Sequence, residues 1–265
     1  MRPSHSLNSV GRDCDPPSDG SLNGPQLVRI PVSAVVAIAC PLLILSIITL
    51  VCRLSSLDIA VSSFFFDANP DRWPRFHAEP WWTLYRYGAV PGLVMGTCGM
   101  ALAVLAGCVG RWSTWGKVGL FLALMLAIGP GLLVNGLMKP HWNRPRPSQV
   151  RQFGGRLDFV SVLGRVSYDR ARSFPSGHAS MGFYLMAPAF AIFRRNRRLA
   201  FAFVVLGLAA GGLIGLGRIV QGRHFLSDVI WSAAIVYASG VVLAVLFGFH
   251  RRRARGAVQQ ARMIA

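Results

Sequence analysis

Three short strings in this chain hold residue types that could together handle a phosphate group. Lys139 is followed seven and eight positions on by Arg146-Pro147, then comes Pro175-Ser176-Gly177-His178, and then Arg218, His224 and Asp228, the last two four residues apart. Lys139, Arg146, Arg218 and the two histidines can carry or donate positive charge, and one carboxylate is available to orient an imidazole. Phosphoryl transfer can run on such a set without a metal, because its main demands are charge stabilisation, a nucleophile and a proton donor.

Each string has its own chemistry. On a helix, His224 and Asp228 would share one face, so that the carboxylate holds one imidazole nitrogen and leaves the other free to attack phosphorus. His178 follows Pro-Ser-Gly, a helix-start signature whose outward N–H groups favour an anion. Gly177 allows close backbone approach, Ser176 offers a hydroxyl or a helix cap, and His178 is placed to protonate a departing oxygen. Lys139 supplies a point charge and Arg146 a bidentate fork for the spread charge of a phosphorus transition state. The run Arg144-Pro145-Arg146-Pro147 leaves two registers open, and the spacing from Lys139 selects Arg146.

The strings sit beside apolar segments that must position them. Uncharged stretches at Ile30–Cys52, Tyr87–Gly110, Val118–Met138, Gly177–Phe193, Leu199–Gly217 and Val229–Phe249 can each cross, or nearly cross, a hydrocarbon core of roughly 30 Å. The expectation is an all-α bundle of six transmembrane helices with a short interfacial helical segment. Gly207, Gly211 and Gly215, at four-residue spacing, permit a close helix contact. Odd-numbered spans end and even-numbered spans begin on one side, so the three strings converge whichever side that is.

Orientation follows from where the basic residues lie. Tails and alternate loops divide the 28 Lys and Arg equally between the two sides. However, Arg111 and Lys117, Arg194 to Arg198 and Arg251 to Arg255 lie in short segments abutting helices, where the positive-inside rule acts. That places both termini in the cytoplasm and the site on the outer face. Residues 1–29 read as a disordered cytoplasmic tail, 30–249 as the membrane domain and 250–265 as a basic cytoplasmic tail. The aromatic stretch from Leu57 to Arg86 reads as an anchoring belt in the headgroup zone, or alternatively as a guide for lipid into the pocket.

Composition narrows the class further. With 53% hydrophobic and 14% charged residues, the chain is too apolar for an ordinary soluble domain. The net charge of +18 does not indicate a nucleic-acid partner, because the basic residues lie between apolar segments and not on a soluble reading face. Five cysteines without a C-x-x-C spacing give no disulfide or zinc framework.

The three strings resemble the signature motifs of the type 2 phosphatidic acid phosphatase family, the lipid phosphate phosphatase and vanadium haloperoxidase superfamily, over roughly residues 30 to 249. Gly217-Arg218 stands where that family has Ser-Arg. The resemblance implies a six-helix membrane core with its site near the outer leaflet of a bacterial inner membrane, a phosphohistidine intermediate, and no metal or other cofactor. It assigns His224 as nucleophile, Asp228 as its partner, and His178 as acid and then base. Lys139, Arg146, Ser176, Gly177 and Arg218 would hold the phosphate of a lipid substrate. The stretch His141 to Pro147 followed by Phe153-Gly154-Gly155 is most similar to lipid A phosphatases and phosphatidylglycerophosphate phosphatases, so the resemblance implies hydrolysis of a lipid phosphate monoester or diphosphate, of the lipid A 1-phosphate or phosphatidylglycerophosphate type. Undecaprenyl diphosphate hydrolysis and transfer of the phosphoryl group to another lipid are alternatives. An anionic-lipid transporter, for which Pro130 and Asn135 inside the third span speak, is the alternative of another class. Oligomeric state is not legible.

Overall fold

A computed structural model of the chain describes residues 32–69, 73–110, 114–164, 168 and 171–249. The two tails expected at 1–29 and 250–265 lie outside the described residues, as do Arg111 and the Arg251 to Arg255 cluster. Among the described residues the protein is helical, with a single isolated bridge between Val150 and Leu157 and no strand.

Helices α1 (Val32–Leu54) and α2 (Leu57–Ser63) are separated by a bend of 74°. Helices α3 (Trp81–Tyr87) and α4 (Val90–Cys108) form one stretch. Helix α5 (Thr114–Leu126) continues as a π-helical segment, Ala127–Met138, into the single turn α6 (Lys139–Trp142). After an irregular loop come α7 (Gly177–Phe183), α8 (Ala187–Ile192), α9 (Arg197–Val220) and α10 (Leu226–Leu246).

Four stretches, Trp81–Cys108, Thr114–Gln149, Arg197–Val220 and Leu226–Leu246, are long and apolar enough to cross a membrane, and the bent α1–α2 pair makes up to five. The exposure pattern is that of a protein in lipid. Leu93, Val94, Leu105, Phe201, Leu208 and Val242 face outward, whereas Gly92, Gly96, Gly99 and Ala103 of α4 face inward. Helices in lipid associate through small residues because apolar side chains gain nothing by leaving the acyl chains. A Cβ at Gly99 would stand 2.9 Å from the Gly119 carbonyl oxygen of α5, so these two backbones meet without room for one.

The fourth expected span differs from the expectation. Gly177–Phe193 is not one long helix but α7, a tight turn at Tyr184–Met186, and α8. Pro188 near the start of α8 lacks the N–H that would bond the Tyr184 carbonyl, so the helical ladder is interrupted there. This broken rod is nonetheless the centre of the bundle: Ala179, Phe183, Tyr184, Met186 and Ala187 are buried against Phe121, Met125, Val229 and Val236. The glycines of α9 make the close contact expected of their spacing. A Cβ on Gly211 would lie 2.2 Å from the Phe183 ring and one on Gly207 2.6 Å from the Met186 nitrogen.

Candidate functional site

The candidate side chains lie at helix ends or, for Arg146 and His224, in the loops that adjoin them. Lys139 stands where the π-helical segment gives way to α6, His178 is the second residue of α7, Arg218 lies in the last turn of α9, and Asp228 lies in the first turn of α10. The charges of Arg218 and Lys139 act on His178, and His224 is close enough to couple to it. A Cβ on Gly177 would come 3.0 Å from Lys139 Nζ and 2.5 Å from Asn135 Oδ1, so only glycine leaves this approach open.

Lys139 is aimed by the unusual helix before it. Pro130 sits inside the π-helical segment, and the Asn135 amide donates to the Pro130 carbonyl at 2.7 Å while its oxygen accepts from Lys139 Nζ at 3.1 Å. Pro130 and Asn135, which in sequence spoke for a transporter's broken helix, thus act together to place a cation.

The His224–Asp228 pair is not built as expected. Helix α10 begins at Leu226, and His224 precedes it, so the two residues do not share a helical face. Instead the Asp228 carboxylate accepts the Phe225 backbone N–H at 2.8 Å, which caps the helix start. Its Oδ2 lies 3.6 Å from His224 Nδ1, an ion-pair distance longer than a hydrogen bond. Catalytic contacts of this kind commonly tighten only when substrate binds. The geometry directs Nδ1 toward the carboxylate and leaves Nε2 as the nitrogen for chemistry. Burial pushes the His224 imidazole down to about 4, against the opposing pull of Asp228, and nearby Arg218 and Lys139 push the same way as burial. His224 is therefore neutral at pH 7.

Asp228 is itself held from three directions. Ser173 Oγ donates to its Oδ2 at 2.6 Å and Arg144 Nη1 to its Oδ1 at 2.5 Å, in addition to the Phe225 N–H. Arg144 is fully buried, and its other donors go to Asp58 Oδ2 at 2.7 Å, Ser227 Oγ at 2.8 Å and the Val160 carbonyl at 2.8 Å. Asp58 in α2 accepts in addition from the Ser227 backbone N–H and hydroxyl at 2.9 and 2.6 Å. Buried charges persist only when paired and hydrogen-bonded on all sides, and this network meets that condition. It also separates the two arginines of the Arg-Pro-Arg-Pro run: Arg144 is consumed by carboxylates, while Arg146 is only partly buried and is the one available to an anion.

Arg218 is buried, donates through Nη1 to Gln221 Oε1 at 2.5 Å and has the Tyr85 ring 4.4 Å from its guanidinium carbon. Among the described residues, the Arg218 Nε donor is buried without a hydrogen-bond partner. A donor left so is costly unless a ligand meets it. Ser176 caps α7 by accepting from the Ala179 N–H at 3.4 Å, so the cap reading of its hydroxyl is realised and the hydroxyl proton stays free to donate.

Sequence reasoning missed Asp58, Ser173, Ser227, Gln221 and the site role of Tyr85. Asp58 carried a signal, since a lone carboxylate in the apolar run Leu57-Asp58-Ile59-Ala60-Val61 needs a cation somewhere in the fold. The aromatic stretch also turns inward more than a belt would. Phe66, Trp73 and Phe153 form a ring cluster with centroids 5.1 to 5.7 Å apart, and Gln221 donates to the Phe76 and Trp81 carbonyls. From there a row of rings, Phe76, His77, Trp82 and Tyr85, leads to His178 in steps of 4.7 to 5.5 Å. Among the described residues no three His, Cys, Asp or Glu side chains gather as a metal site.

The site thus gathers cations and two histidines over one buried carboxylate in a helical bundle of membrane type. The chain belongs to the PAP2 superfamily, whose family model matches residues 118–252. That region contains all eight candidate residues, whereas Asp58 and Tyr85 lie outside it. Over 129 residues the chain is 45% identical to a lipid A 4'-phosphatase of Francisella tularensis subsp. novicida, covering 48% of this chain and 57% of that protein. It is 38% identical over 124 residues to a lipid A 4'-phosphatase of Rhizobium etli (44% of this chain, 46% of that one) and 32% identical over 117 residues to a lipid A 1-phosphatase of Rhizobium johnstonii (44% and 43%). The chain thus spans about half the length of the curated relatives it matches. No solved structure matches it.

Proposed function

We propose that this protein is a membrane lipid phosphatase that removes a phosphate monoester from a lipid A-type acylated sugar through a phosphohistidine intermediate. The observation that carries the reading is the joint placement, at one end of the bundle, of neutral His224, His178, Lys139 and Arg218 above the buried, triply held Asp228. Arg146, Ser176, Gly177 and Arg218, with Lys139, bind the phosphate oxygens. His224 Nε2 attacks phosphorus, the bond to the sugar oxygen breaks, and His178 gives that oxygen its proton. Water then attacks the phosphohistidine, His178 takes the proton from it, and inorganic phosphate leaves.

The relatives' names favour the lipid A 4'-phosphate ahead of the 1-phosphate. The ring row from Phe76 to Tyr85 supplies apolar faces on which a sugar can rest. The transporter reading loses its sequence support, because Pro130 and Asn135 serve to aim Lys139. We place the site on the outer face of a bacterial inner membrane, on the strength of the basic segments at the other end of the helices.

The test is phosphate release from purified protein offered separately bis-phosphorylated lipid A, its 1-phosphate and 4'-phosphate forms, phosphatidylglycerophosphate, phosphatidic acid and undecaprenyl diphosphate. Preference for a form bearing the 4'-phosphate is expected. Exclusive use of the diphosphate, or transfer to a second lipid with no free phosphate, contradicts the reading.

A further inference from the structure

The helices that present the catalytic residues at one end carry a second set of cations at the other. Lys117 lies in the first turn of α5, which leads to Lys139, and Arg197 starts α9, which leads to Arg218. At about 1.5 Å per residue, each pair is separated by roughly 30 Å along the helix. Between these far ends lies a cavity of about 610 Å³ edged by Lys117, Arg194, Arg195 and Arg197. Among the described residues no carboxylate lines it and none of the four is ion-paired. Its size falls within the roughly 300–1,000 Å³ that small-ligand sites occupy.

The cavity is built from ordered parts. The α8–α9 turn is fixed by Arg195 and Asn196 N–H bonds to the Ile192 carbonyl, by the Asn196 cap on Leu199, and by Arg197 stacking 5.7 Å from the Phe193 ring. The opposite wall is the end of α10, where Gly248 takes a left-handed φ of 69° and turns Phe249 back beside Phe247 and Phe121. A cationic rim over an apolar wall matches a phosphate attached to hydrocarbon. Just outside it, Leu199, Phe201 and Leu246 are 48%, 70% and 74% exposed, and Trp115 on the rim is 65% exposed, as befits the boundary between headgroups and acyl chains.

We propose that this cavity binds the headgroup of an anionic phospholipid from the leaflet opposite the catalytic site, bridging α5, the α8–α9 turn and the end of α10. Its phosphate would take the guanidinium groups of Arg194, Arg195 and Arg197 and the Lys117 ammonium, and its glycerol and first methylenes would lie against Val118, Ile192 and Phe249.

The full chain, purified in mild detergent, is titrated with phosphatidylglycerol or phosphatidylcholine and its bound lipid counted by native mass spectrometry. The triple variant Arg194→Gln, Arg195→Gln, Arg197→Gln is expected to retain about 10- to 100-fold less phosphatidylglycerol than the parent, with phosphatidylcholine unchanged. Removing three cations away from this cavity, Arg75 in the turn that bonds Ala78, Arg86 in the last turn of α3 and Arg156 beside Gln149 (Arg75→Gln, Arg86→Gln, Arg156→Gln), should leave that phosphatidylglycerol complement in place. Equal lipid retention by parent and triple variant overturns the proposal. So does full displacement of the lipid by millimolar inorganic phosphate, which would make this a site for a soluble anion. If the triple variant does not fold, Lys117→Gln decides, with a smaller but measurable loss expected and an unchanged complement overturning the proposal.

Discussion

At one end of the bundle buried carboxylates underlie the proposed site, and at the far end no carboxylate among the described residues pairs with the cations. Arg144 is locked between Asp58 and Asp228 with no exposure, and His224 packs against the same Asp228. Lys117, Arg194, Arg195 and Arg197 are exposed and edge an open cavity. Both ends are basic, so charge alone does not distinguish them. What distinguishes them is the buried acidic network beneath one, which fixes geometry to the tolerance that bond-making requires.

The sharpest way to break that contrast is to disable the carboxylate that joins network to nucleophile. Asp228→Asn should lower turnover by about 10²- to 10⁴-fold in a phosphate-release assay, since it removes the anion that supports an imidazolium and disturbs the choice of tautomer. Next comes stability. Asp58→Asn leaves Arg144 partly unpaired in the core and should cost about 3–5 kcal/mol in detergent unfolding, while Arg194→Gln at the far end should change stability by no more than about 0.5 kcal/mol. Arg146→Ala should reverse the signature of its neighbour network, cutting turnover by about 10²-fold with little change in unfolding.

A further effect is in pH. Because burial holds folded His224 near 4 while an unfolded imidazole titrates near 6.5, the unfolded chain binds more protons between those values. Stability therefore falls as pH drops from about 6.5 toward 4, and the acid limb of kcat/KM, which requires neutral His224, lies below 6.5. Unfolding and turnover measured from pH 4 to 8 check both, and a limb above 7 would contradict the assignment.

The sequence made the charged ends of helices legible because a cation or histidine at the edge of an apolar run is conspicuous. Its spacing from Lys139 singled out Arg146, which the fold leaves partly exposed while Arg144 is buried against carboxylates. Asp58 and Ser173 were hidden because their partners lie across the bundle, 86 and 55 positions along the chain, and no local spacing reports such a contact. The fourth span was misjudged as continuous because hydropathy registers Pro188 as neutral, whereas the backbone ladder loses a donor there. The His224–Asp228 spacing pointed to two residues that the fold does bring to 3.6 Å, but through a cap and not a shared helical face.

The most direct test of the account is chemical capture of the intermediate. Protein mixed with ³²P-labelled lipid A for milliseconds and quenched in base should carry label that is acid-labile and maps to the peptide containing His224, and His224→Ala should carry none. Label on His178 or on any other residue, or full turnover by His224→Ala, would contradict it.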